Sequence, residues 1–228
     1  MDTPPARGLG PLVNRLTYAH PTLVIATFIV TAYLLTIGGS QMPFHVVLAY
    51  LLFAAMCFHQ LEEYVWPAGF IWAFNRFHGS DIPDRYPGNR LSVFLVDIGS
   101  LIAGGYFLFL KPTPVITAIF AIFAVVEVVV HTLFGILTYR EFRDRGKETI
   151  YFPGNATAWF LFAPLGLAAC HELITERLLS GTGWLIAAGS VVLFILAPVV
   201  AATFLLADRN TVFVYRTRPI EGYFKRYL

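Results

Sequence analysis

The chain has 228 residues; 57% are hydrophobic, 16% aromatic and only 13% are Asp, Glu, Lys or Arg. Soluble domains carry about 25% charged residues, and half that share, with a mean hydropathy of +0.67, excludes a soluble enzyme, a disordered chain and a nucleic-acid binder. The net charge of +2 implies no anionic partner, and the composition is that of a polytopic membrane protein.

Residues 1–19 form a polar, weakly basic N-terminal segment. The apolar run from Pro21 to Ile37 is longer than a signal-peptide core and lacks a small-x-small cleavage site, so it is expected to stay as an anchor. Spanning a bilayer takes roughly 20 helical residues. Six stretches qualify, at about 20–38, 43–64, 90–110, 113–138, 156–176 and 183–207, with Pro164-Leu165-Gly166 breaking the fifth. Lipid gives the backbone no hydrogen-bond partner, so these are helices and the fold is all-α. Residues 208–228 form a basic tail.

Loop charge orients the bundle. With both termini cytoplasmic, the inner segments hold Arg7, Arg15, Arg76, Arg85, Arg90, Arg140, Arg143, Arg145 and Lys147. They also hold Arg209, Arg216, Arg218, Lys225 and Arg226, whereas the outer loops hold only Lys111 and Arg177. That asymmetry follows the positive-inside rule for six spans in a cell membrane. Residues 68–77, AGFIWAFNRF, suggest a short helix in the cytoplasmic interface or an aromatic-belt loop. Cys57 and Cys170 sit in apolar runs and read as buried hydrophobes.

Tyr86-Pro87-Gly88-Asn89 precedes the third span and Tyr151-Phe152-Pro153-Gly154-Asn155 the fifth. Each follows a helix with a histidine near its inner end, which suggests a parallel repeat of spans 2–3 and 4–5; two unrelated Pro-Gly turns would look the same.

Ionisable residues inside spans are costly and mark function by default. At 1.5 Å per residue, His59 and His131 each lie roughly 25 Å from the outer start of their helix. Glu62, Glu63, Asp97 and Glu127 fall in the same cytoplasmic half. In His59-Gln60-Leu61-Glu62-Glu63 both carboxylates share the face of the imidazole, and Glu127 and His131 repeat the i, i+4 relation. Two helices offering His and Glu at matched depth is how bundle metal sites are built, here for a divalent zinc, iron or manganese ion. His59, Glu62, Glu127 and His131 are the expected ligands, and hydrogen-bonded core histidines with edge carboxylates are the plainer alternative. Asn155 is expected to cap the fifth helix and Asn89 the third, aiming positive helix ends at the same zone. Asp97 is expected to orient a histidine. His171, Glu172 and Glu176 lie toward the outer side, where an outer-face role or none is expected.

On these residues the chain resembles the HXXEE membrane protein family, defined by that motif, a further histidine and Tyr-x-Pro-Gly. The matches are His59–Glu63, His131 (His171 being the other choice) and Tyr151-Phe152-Pro153-Gly154, over about residues 45–207. The resemblance names residues and implies no reaction. The leading expectation from the residues is a metal-dependent hydrolase of a lipid-like substrate at the cytoplasmic leaflet. Glu63 would act as general base toward water, and Tyr151 or the fifth-helix N-terminus would steady an oxyanion. A metal-free lipid isomerase and a small transporter or metal carrier are the alternatives.

Overall fold

The computed structural model describes residues 9–215 and 220–228. Arg7, Arg216 and Arg218, counted above among the inner basic residues, lie outside the described residues. These form helices and no strand: α1 Leu9–Thr17, α2 His20–Gly38, α3 Phe44–Tyr64, α4 Phe70–Phe77, α5 Arg90–Leu110, α6 Pro114–Phe142, then α7 Asn155–Thr175 and α8 Gly181–Leu205. Six of them, all but α1 and α4, are long and apolar enough to cross a membrane.

Local chemistry sets the ends. Asn89 accepts the amides of Leu91 and Ser92 while the Ser92 hydroxyl accepts the Asn89 amide, a reciprocal cap that starts α5. Thr113 caps α6, with Pro114 supplying a pre-set φ at the first position. The α6 helix runs on through Arg140, so the fourth span ends later than expected. The break at Pro164 is milder than expected. Residues Ala158–Phe162 widen into π-helical turns just before the proline, and Ile195–Ala201 do the same around Pro198. The wider turn accommodates a residue that lacks an N–H and crowds the preceding carbonyls, and α7 continues as one span.

The bundle is organised around α3, the most enclosed span. It packs on α2, α6 and α7, while α6 packs on α7 and α8. Phe53, Leu52, Phe162, Ala121 and Ala124 fill the centre. Leu185, Phe160 and Ile102 stand exposed on outer faces, where hydrocarbon is the natural neighbour.

Arg90 donates to Thr17 Oγ1 (2.7 Å), to the Val214 carbonyl (2.8 Å) and to Asn14 Oδ1, tying α1 and Val214 to α5. The α4 helix buries Ile71, Trp72, Ala73 and Asn75. The Asn75 amide bonds the Pro83 and Gly88 carbonyls and accepts the Gly88 amide, which fixes the first Pro-Gly-Asn turn. Trp72 stacks on Phe224 of the C-terminal segment.

The second such turn is built differently. Gly154, at φ +100°, occupies the cap position and Asn155 is already helical. Asn155 therefore does not cap its helix; its amide donates to the Ile150 carbonyl. The reason is a carboxylate from another span, described next.

Candidate metal centre

The α3 and α6 helices place two imidazoles edge to face, with ring centroids 4.5 Å apart. Glu63 Oε1 lies 3.2 Å from His131 Nε2 and 3.6 Å from His59 Nε2. Glu127 Oε2 lies 3.2 Å and 3.7 Å from the same two nitrogens. The i, i+4 spacings thus bring both helices to one point. The ligand atoms of His59, Glu63 and His131 all fall within 4.8 Å of one another, and this buried group could hold a metal ion. Phe70, Phe152 and Phe162 close around the rings, giving the low-dielectric surroundings in which such contacts are strong.

Ligand atoms 2.0–2.1 Å from a tetrahedral ion are about 3.3–3.4 Å apart. The two edges at His131, both 3.2 Å, come close to that spacing, whereas the two at His59, 3.6 and 3.7 Å, are wider, and Glu127 stands outside the three-residue group. The donor set of imidazole and carboxylate suits zinc, iron or manganese.

Glu62 and Glu63 face different ways. Glu62 does not reach the cluster. Its carboxylate accepts the Ala156 amide (3.1 Å), the Thr157 amide (2.8 Å), the Thr157 hydroxyl (2.7 Å) and the Tyr151 hydroxyl (2.8 Å). Adjacent helical residues point about 100° apart, so only one can face His131. The other fills the positive N-terminal end of α7, which replaces the Asn155 cap. The expected anion site at that helix start is thus taken by the protein's own carboxylate. Tyr151, expected to steady an oxyanion, spends its O–H on Glu62. Burial and that carboxylate push its pKa well above the ordinary range, so it stays a donor.

Thr157 joins the two halves. Its single hydroxyl proton goes to an acceptor, Glu62 or the Gly154 carbonyl (3.0 Å), so the contact of 2.8 Å to His59 Nδ1 needs Nδ1–H as donor. In the neutral ring that leaves His59 Nε2 with its lone pair toward Glu63, Glu127 and His131, the arrangement metal-bound histidines share. Gly154 roofs both rings: a Cβ there would lie 2.2 Å from His131 Cε1 and 2.9 Å from His59 Cε1. Thr157 carries no sequence signal. Gly154 was visible as a turn residue and as the glycine of Tyr-x-Pro-Gly, but not as a neighbour of the histidines.

Asp97 does pair with a histidine, but with His20 of α2 (Oδ2 to Nε2, 3.0 Å) and not with either cluster histidine; His20 opens the first span and reads in sequence as part of the polar tail. His171 is exposed on α7, with Glu172 and Glu176 close to it in the chain, and Glu172 lies near His45 of α3.

His59-Gln60-Leu61-Glu62-Glu63, His131 and Tyr151-Phe152-Pro153-Gly154 now stand in one structure. The profile described as "Protein of unknown function with HXXEE motif" matches residues 50–169. The chain belongs to the HXXEE family. No curated protein and no solved structure matches it. In this HXXEE protein the three motif pieces form one unit: the first Glu of the motif anchors α7, the second meets the histidines, and the glycine of Tyr-x-Pro-Gly lies against them.

Proposed function

We propose that this HXXEE protein is a metal-dependent integral membrane enzyme, a hydrolase of a lipid-like substrate at the cytoplasmic leaflet. The observation that carries the reading is the buried group of His59, Glu63 and His131, whose ligand atoms lie within 4.8 Å of one another, with the Glu127 carboxylate beside both histidines. With both carboxylates ionised and both imidazoles neutral, as metal ligation requires, the four side chains would sum to a charge of −2 inside a span, which a divalent cation would cancel. When bound, such an ion supplies Lewis acidity and lowers the pKa of water.

His59, held by Thr157, and His131 are the neutral ligands, and Glu63 is the enclosed carboxylate ligand. Glu127 keeps 19% side-chain exposure against 8% for Glu63, which suits it to exchange protons as general base. That reverses the roles expected for these two carboxylates from sequence. An apolar groove of 720 Å³ walled by Ile25, Phe58, Leu61 and Leu161 ends at Glu62, Tyr151 and Thr157, a shape suited to an acyl chain. The cytoplasmic assignment rests on the loop charges.

A metal-free proton-transfer isomerase draws on the two 3.2 Å contacts of His131, which suit hydrogen bonds. It leaves His59 Nε2 at 3.6 and 3.7 Å, beyond hydrogen-bond reach, and for that reason the metal reading is preferred. Elemental analysis of the detergent-purified protein tests it. About one divalent ion per chain is expected, lost in His59→Ala and His131→Ala and kept in His171→Ala. A folded wild-type protein without metal after growth in metal-replete medium would overturn it.

A further inference from the structure

Besides the cluster, the described residues bury a second polar centre. The Tyr215 hydroxyl is enclosed without a hydrogen-bond partner among the described residues, and His20 Nε2 and Asp97 Oδ2, 3.0 Å apart, have only each other. His20 and Asp97 are only 6% and 7% exposed. His20, Tyr215, Tyr64 and Arg90 line a cavity of 70 Å³. A larger cavity of 310 Å³, at the loop end of α3, is lined by Glu63 and by the same Tyr64, Tyr215 and Pro21. The two spaces therefore share one wall, with His20 lining the smaller and Glu63 the larger.

We infer that this is a hydrated vestibule, a chain of bound waters running from the His20–Asp97 pair past Tyr215 to the Glu63 side of the cluster. An unpaired buried polar atom costs more than a made hydrogen bond returns, and buried water is the usual remedy where the site is polar. A water needs about 10–15 Å³ of such space and two to four polar partners; the smaller cavity alone meets both conditions and is too small for a lipid headgroup. Arg90 is no competing ligand there, since Thr17, Asn14 and Val214 hold it. The vestibule gives a water-consuming reaction its supply from the loop side while the acyl groove opens to lipid elsewhere. It goes beyond the proposed metal chemistry and stands without it.

X-ray radiolytic hydroxyl-radical footprinting of the full chain in detergent tests the inference, because radicals form where water is bound. Tyr50 is the internal control: it is 4% exposed in the apolar core and lines neither cavity. Tyr64 and Tyr215 should oxidise several-fold faster than Tyr50, with His20 also modified. Tyr215→Phe should lower oxidation of His20 and Tyr64 several-fold while Tyr50 stays unreactive. Tyr64 and Tyr215 reacting no faster than Tyr50 would show a dry space and overturn the proposal. Unchanged His20 oxidation in Tyr215→Phe would overturn the route. Metal content of the same samples is read separately, so loss of the metal reading is distinguishable from loss of the vestibule.

Discussion

Two neighbouring glutamates carry opposite duties. Glu62→Gln should keep the metal but loosen α7, because an amide group cannot accept four hydrogen bonds and at least one buried donor goes unpaired. A cost of about 1–3 kcal/mol is expected, read as a lowered thermal midpoint in detergent. Glu63→Gln should keep that midpoint nearer the wild type and lose metal. The reverse pattern would return the ligand role to Glu62. Thr157→Val leaves His59 Nδ1 unpartnered and should weaken metal affinity by about 10–100-fold, the usual cost of removing a group that orients a metal-bound histidine; competition with a chelator measures it. The sequence showed that Glu62 and Glu63 matter together. It could not show which one turns inward, because that depends on where α6 and α7 lie around α3.

At the scale of elements, the C-terminal segment gives a pH test. Lys147 is 1% exposed and donates to the Tyr151 carbonyl and to the Tyr223 hydroxyl. Burial, then Arg226 nearby, lowers its pKa from 10.5 to about 8. Tyr223, pushed up to about 12 chiefly by burial, stays neutral over that range. Between pH 8 and 10.5 the unfolded chain binds the Lys147 proton more than the folded one, so stability rises with pH there. Below pH 8 both forms are protonated and the burial penalty is constant. Lys147→Met should flatten this rise in a series of thermal midpoints, and an unchanged slope would assign it to another group. Helix starts were readable where a side chain caps its own helix, as Asn89 does. The start of α7 was placed within a residue but its cap was assigned to Asn155, because the true cap comes from Glu62, 95 residues before Thr157.

For the whole molecule, six spans followed from hydropathy, since lipid leaves the backbone few options. Their ends shifted by a few residues, and α6 ran furthest past expectation. The site was half legible. Depth along two helices put His59, Glu63, Glu127 and His131 together, but pairings set by packing, such as Asp97 with His20, leave no periodic trace. Orientation is testable by cysteine-accessibility labelling. Residues 140–150 and the C-terminus should label from the cytoplasmic side and residues 38–43 from outside; external labelling at residue 145 would invert the assignment.

The Glu62–Thr157 anchor also has a consequence in time. Synthesis proceeds from the N-terminus at about 5–20 residues per second. Glu62 of the second span is therefore synthesised roughly 5–20 s before its anchor is translated, with Thr157 lying 95 residues further along the chain. Throughout that interval Glu62 has none of its four donors, and Glu63 waits for the fourth span to bring His131. Until then each unpaired carboxylate makes the final depth of this span costly, and that cost falls only after the ribosome has passed the Tyr-x-Pro-Gly turn.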